Sequence, residues 1–212
     1  MARRRVGASF GFLIVIIRQK TMEQVIQLNS SAKLSEHFTL GELTKTSHKV
    51  YNIPSHEAIE NLKRLCTWLE YLRKRYNELN VVGDLQSPTD CSGDLKSPKQ
   101  CGRIANAPEH PIIINSGYRS PQLNRKIGGQ PNSNHLTGCA VDIRVKDNEQ
   151  LIQYAAILIE YANETHQDFD ELLLEKRSAS PLGSSKNRHG AIWLHFAVRP
   201  KENRRKILFL TA

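Results

Sequence analysis

Two short segments constrain the fold of this chain more than any other feature: "GCAVDIRV", residues 138–145, and "AIWLHFAV", residues 191–198. Both alternate with the period of two that a half-buried strand requires. In the first, Cys139, Val141, Ile143 and Val145 share one face, and Ala140, Asp142 and Arg144 share the other. In the second, Ile192, Leu194, Phe196 and Val198 share one face, and Trp193, His195 and Ala197 the other. Each strand thus buries an aliphatic face and turns one ligand-type side chain the opposite way. Asp142 and His195 are expected on the same side of one sheet. His135, in the polar loop entering the first strand, is placed to close over them.

Helices come first in the chain. "FTLGEL" carries Thr39 and Glu42 at capping-box spacing, which predicts a short helix. From Ser55, the expected cap, Ala58, Leu62, Leu65, Leu69, Leu72 and Tyr76 fall in steps of four and three and form one apolar stripe. Ser120, Pro121 and Gly128 read as the cap, first position and stop of a short helix. Asp147 and Gln150 open a second long one through "LIQYAAILIEYANETH". "PIIIN" (Pro111–Asn115), "FDELLLEK" and "KILFL" are the remaining strand candidates. Helices followed mostly by strands predict an α+β domain, with helices packed on one side of an antiparallel sheet.

Two segments stand apart from this domain. "GDLQSP" at Gly83 recurs as "GDLKSP" at Gly93, with Cys91 recurring as Cys101, a repeat of period ten. Two copies cannot build a solenoid, and the Gly, Ser, Pro and Asp content predicts a disordered insertion at about 81–108, either bland or clipped by its two cysteines. Cys66 and Cys139 read as small buried hydrophobes, and no C-x-x-C pair supports a zinc ribbon. The start, "MARRRVGASFGFLIVIIRQK", is cationic and then apolar from Val6 to Ile17, too short for the about 20 residues that span a bilayer. Residues 1–21 are either a signal or anchor, placing the protein in the cell envelope or periplasm, or an upstream extension before Met22, leaving it cytoplasmic. Residues 22–212 then form the working domain.

The formal net charge of +9 favours anionic partners. The charge is spread over "ARRR", "RLCTWLEYLRKRY" and "RPKENRRK" without interleaved aromatics, so a solvated basic surface is expected rather than a nucleic-acid site. Two imidazoles and one carboxylate make a catalytic zinc set, with three protein ligands and one position left for water. Against it stand two plainer readings: a hydrogen-bonded structural histidine and a surface aspartate.

Three blocks resemble the zinc D-alanyl-D-alanine carboxypeptidase family, whose fold is shared with the hedgehog signalling domain. They are Ser116-Gly117-Tyr118-Arg119, then Ser133-Asn134-His135 through Gly138, Ala140 and Asp142, then Trp193-Leu194-His195. The resemblance runs from Leu34 to Leu210 except for the repeat. It implies one catalytic Zn2+ held by His135, Asp142 and His195, and Arg119 for the substrate carboxylate or polarised carbonyl. Ser133 and Trp193 are further substrate-side candidates, with Ser133 shaping its loop rather than acting as a nucleophile.

One departure matters. Many family members carry an acid three residues before the last histidine, where this chain has Ile192. The base must then come from elsewhere, with Asp170, Glu171, Glu175 and His189 as candidates. Glu175 is preferred because the branch that this chain resembles often has a glutamate there. The implied activity is hydrolysis of a bacterial peptidoglycan stem peptide, at the D-Ala-D-Ala end. Rival readings are a dipeptidase or phage-type endopeptidase, a non-catalytic zinc or wall-binding module, and a nucleic-acid binder resting on charge alone. Weak association with anionic wall polymers is also expected.

Overall fold

A computed structural model describes residues 31–83, 109–177 and 191–211. The repeat beyond Gly83, Cys91, Cys101, the N-terminal segment and His189 lie outside the described residues.

Helix α1 (Leu40–Leu43) starts where Thr39 accepts a hydrogen bond from the Glu42 amide. Helix α2 (His56–Gly83) follows; Ser55 Oγ accepts from the Ala58 amide at its start. It continues past Tyr76 to Gly83, so residues 81–83 are helical. Strand β1 is Ile114–Ser116, shorter and later than the expected Pro111–Asn115. The pairing of β1 with β2 shifts register between Ile114 and Ser116, and Pro111 has no N–H to give to a ladder. Helix α3 (Pro121–Lys126) is capped by Ser120, whose hydroxyl accepts from the Leu123 amide. A 3-10 turn over Asn134–Thr137 leads through Gly138 to β2 (Ala140–Arg144). Helix α4 (Asn148–Thr165) begins with Asp147 accepting from the Gln150 amide, while Gln150 Oε1 accepts from the Lys146 amide. Strands β3 (Glu171–Arg177), β4 (Ala191–Ala197) and β5 (Lys206–Thr211) complete the order.

The five strands lie in the order β1-β2-β4-β3-β5. The α+β class holds, but the sheet is mixed rather than antiparallel: β5 runs parallel to β3. The physical reason is the return path after β4. The chain turns through residues 198–205 beside the start of β3, where Arg205 N donates to Phe169 O, and so enters the edge in the direction of β3.

One face of this sheet meets α2 and α4. The stripe predicted for α2 is buried throughout, and packs with Val141, Ile143, Leu172, Leu174, Leu194 and Phe196 from the strands and Tyr154 and Leu158 from α4. Fully burying each such side chain contributes about 1.5–3 kcal/mol, which is why the alternation of the strands decides the side on which the helices sit. Trp68 on α2 stands tilted against Phe196 on β4 at 5.3 Å between ring centroids and ties helix to sheet. Cys66 and Cys139 are buried free thiols, Cys139 one residue ahead of β2. Burial pushes the Cys66 thiol up to about 12.

Candidate metal centre

The opposite face of the sheet carries the polar side chains. Asp142 on β2 pairs directly with His195 on β4, and His195 with Leu173 on β3. Directly opposed residues in a sheet project to the same side. The next row along the strands is Arg144, Trp193 and Glu175, and the row on the other side is Ala140, Ala197 and Glu171. The side chains facing away from the helices therefore include Asp142, His195, Glu171 and Glu175.

His135 reaches this cluster from the 3-10 turn. Ser133 caps that turn by accepting from the His135 amide at 3.4 Å, and Gly138 ends it with φ of 71°. A Cβ on Gly138 would sit 2.4 Å from the Ala58 carbonyl oxygen at the start of α2, so the turn can press against the helix only as glycine. Asn61 on α2 donates to the Thr137 carbonyl and fixes the turn from the same side.

The geometry assigns the ring nitrogens. His135 Nδ1 lies 2.6 Å from the Gly117 carbonyl oxygen, which can only accept, so Nδ1 carries the proton. Its Nε2 is then the bare nitrogen, 3.2 Å from Asp142 Oδ1. Burial lowers the pKa of His135 and favours this neutral form. With His195 Nδ1 also 2.8 Å from that oxygen, three ligand-type atoms converge on one point. One ligand atom from each of His135, Asp142 and His195 lies within 4.8 Å of the others, and all three residues are nearly inaccessible to solvent. A divalent cation suits this arrangement: neutral imidazole and carboxylate are zinc donors, and three protein ligands are the number a catalytic zinc takes. The donor set and its convergence fit the metal.

The surrounding charges are arranged to match. Burial opposes the Asp142 carboxylate, but the two histidines outweigh it and hold its pKa well below the ordinary range. Its Oδ2 meets the Arg119 guanidinium, whose Nε donates to Ser116 Oγ at 2.8 Å. Arg119 is thus braced beside the centre by the two strands it adjoins, while its backbone amide donates to the His135 carbonyl. Burial opposes a charge on His195 too, but Asp142 and Glu171 raise its pKa to about 9.

Of the four base candidates, the structure separates three. Asp170 is fully buried, accepting two hydrogen bonds from Arg204 at 2.7 Å each and one from Asn134 at 2.8 Å. It is a structural carboxylate. Glu171 sits 3.7 Å from His195 Nε2 and is held by Asn134 and Arg204. Glu175 is half-buried four residues further along the strand, on the same face; burial raises its pKa, and the charges of His195, Asp142 and Arg119 all act on it. His189 lies outside the described residues. Ile192 packs against the core, on the side away from the centre, so an acid at that position on this straight strand would not face the metal ligands. Trp193 stands in the Glu175 row, partly exposed, with the Arg177 guanidinium 5.8 Å over its ring.

Asn134, the Gly117 carbonyl and Arg204 are members of the site region that the sequence pattern does not reveal. Arg204 belongs to a basic tail that reads as solvated surface, and only its bidentate contact with Asp170 shows otherwise. Glu171 is among the base candidates that the sequence offers, but its contact with His195 is not legible there.

A sheet that turns Asp142 and His195 to one side, with His135 brought over them from the 3-10 turn and a glutamate and an arginine at the margin, forms a site suited to a divalent cation. Residues 86–168 match the family model for Peptidase M15. The matched stretch contains Arg119, His135 and Asp142; it begins inside the repeat and ends before Glu175 and His195. No curated protein matches the chain.

Proposed function

We propose that this zinc peptidase hydrolyses a peptide bond of bacterial peptidoglycan stem peptides, acting as a carboxypeptidase at the D-Ala-D-Ala end. The observation that carries this reading is the position of Arg119. A fixed cationic fork lies against the metal-ligand aspartate, where the carboxylate of a C-terminal residue next to the scissile bond can meet it.

His135, Asp142 and His195 would hold a zinc ion, which would supply Lewis-acid polarisation of the scissile carbonyl and an acidified water. The residues of the chain do the rest. Glu175 accepts the proton of the attacking water on a carboxylate oxygen and delivers it to the departing amine nitrogen. Its half-buried setting raises its proton affinity, which suits both halves of that transfer. Arg119 orients the substrate carboxylate or stabilises negative charge on the carbonyl oxygen. The partly exposed Trp193 offers a flat apolar wall beside Glu175 for a small side chain. With such a substrate the protein works in the cell envelope, where its formal charge of +9 favours residence near anionic wall polymers.

The test is mass spectrometry of a defined stem pentapeptide incubated with zinc-loaded protein. Release of the terminal D-Ala is expected. Cleavage at an internal bond would replace the carboxypeptidase reading with an endopeptidase one. Retention of the uncut peptide would make the protein a wall-binding module.

A further inference from the structure

His195 presents Nδ1, not Nε2, to the metal centre: Nδ1 is the nitrogen 2.8 Å from Asp142 Oδ1. A neutral imidazole has one bare nitrogen, and the partner of the other nitrogen decides which. On the far side of the ring, Nε2 faces Glu171 Oε2 at 3.7 Å. That carboxylate is not free to swing. Oε2 accepts from Asn134 Nδ2 at 3.1 Å, and Oε1 lies 2.9 Å from Arg204 Nη2 and 3.5 Å from Lys206 Nζ. Asn134 immediately precedes His135 and also donates to the buried Asp170, which Arg204 grips with two hydrogen bonds. One clasp therefore joins the turn bearing the first ligand, the start of β3, and the segment of chain after the last ligand.

We propose that Glu171 is a positioning residue for His195: anchored by Asn134 and Arg204, its carboxylate holds the proton on Nε2 and leaves Nδ1 bare for the metal. The inference rests on the metal-centre reading above. It follows the general arrangement in which a ligating histidine gives its other N–H to a carboxylate, which fixes the ring orientation and strengthens the ligand. Glu171 does not touch substrate in this role. Glu175, four residues along the strand on the same face, remains the proton carrier, so two glutamates on one strand divide two tasks. The C-terminal segment becomes part of the metal site although it supplies no ligand.

The experiment uses the full chain and inorganic zinc alone. Zinc affinity is measured by chelator competition for wild type, Glu171→Gln and Glu171→Leu, with melting temperatures alongside. Glu171→Leu is expected to bind zinc ~10–100-fold more weakly, the usual effect of losing an outer-shell partner. Glu171→Gln keeps an oxygen that accepts from Nε2–H and should restore affinity close to wild type. In zinc-loaded, nitrogen-labelled wild type, imidazole NMR should find the His195 proton on Nε2. A proton on Nδ1, or equal zinc affinity in Glu171→Leu, overturns the assignment. The nitrogen spectrum of wild type decides the matter even if the leucine variant does not fold. No substrate enters, so zinc results as expected alongside uncut stem peptide would remove only the proposed function. A wild type that holds no zinc would remove both.

Discussion

On one face of the sheet, Val141, Ile143, Leu172, Leu174, Leu194 and Phe196 enter a core closed by α2 and α4. On the other, residues of the same strands, one position along, are Asp142, Glu171, Glu175 and His195. The first face is held by non-directional burial, in which volume and apolarity matter and the identity of each side chain matters less. The second is held by directional contacts, each with one partner at one distance: Nδ1 of His135 on the Gly117 carbonyl, Nδ1 of His195 on Asp142, Glu171 on Asn134 and Arg204. Such a cluster of buried polar groups costs stability unless every member is satisfied. The comparison teaches that the helix-facing side provides the rigidity on which the polar side depends, while the polar side provides the chemistry.

If that division is right, substitutions on the two faces should fail in different ways. The largest effect is expected from His135→Ala, Asp142→Ala and His195→Ala. Each should abolish hydrolysis and lose stoichiometric zinc, measured by elemental analysis, while leaving a folded domain by circular dichroism. Normal zinc content in any of the three would break the ligand assignment.

On the helix-facing side, Phe196→Ala should cost about 3–5 kcal/mol of stability, read by denaturant unfolding, as for other buried aromatics. Protein that stays folded should keep its zinc. If Phe196→Ala instead lost zinc at full stability, the two faces would not be separable.

Within the polar side, Glu175→Gln is predicted to retain full zinc occupancy and lose at least ~100-fold in turnover, the lower range for a general base. Near-normal turnover in Glu175→Gln, together with a large loss in His189→Ala, would transfer the role to His189.

A smaller effect sharpens the comparison at its boundary, where Asp170 belongs to neither face cleanly. Arg204→Ala should destabilise by about 2 kcal/mol, the scale of hydrogen bonds to a charged group left buried. Burial alone would raise the pKa of Asp170, but Arg204 and Asn134 outweigh it and hold it below the ordinary range. A depressed folded pKa gives stability that is present above the unfolded value of about 3.9 and lost as pH falls through the folded value. The gap between wild type and Arg204→Ala should therefore be full near neutrality and close below about pH 4. A gap that is constant with pH would mean that the pair acts through packing rather than charge.

The smallest effect is expected from excising residues 84–102, whose Gly, Ser, Pro and Asp content predicts an insertion; melting temperature and zinc content should stay unchanged. A large loss would make the repeat, with Cys91 and Cys101, part of the domain.

Most elements and the faces they bury are legible in the sequence. The α2 stripe, the caps at Thr39, Ser120 and Asp147, and the alternation in β2 and β4 are local: each follows from bonding and burial over a few residues, and each appears as expected. The same alternation places Asp142 and His195 on one side of the sheet. The remaining features rest on residues far apart in the chain. The parallel direction of β5, the later start of β1, the choice of Nδ1 over Nε2 in His195 and the grip of Arg204 on Asp170 all depend on distant segments. No periodicity encodes these, because a hydrogen bond of 2.7 Å between residues 34 apart is set by how the sheet closes, not by what either residue neighbours in sequence.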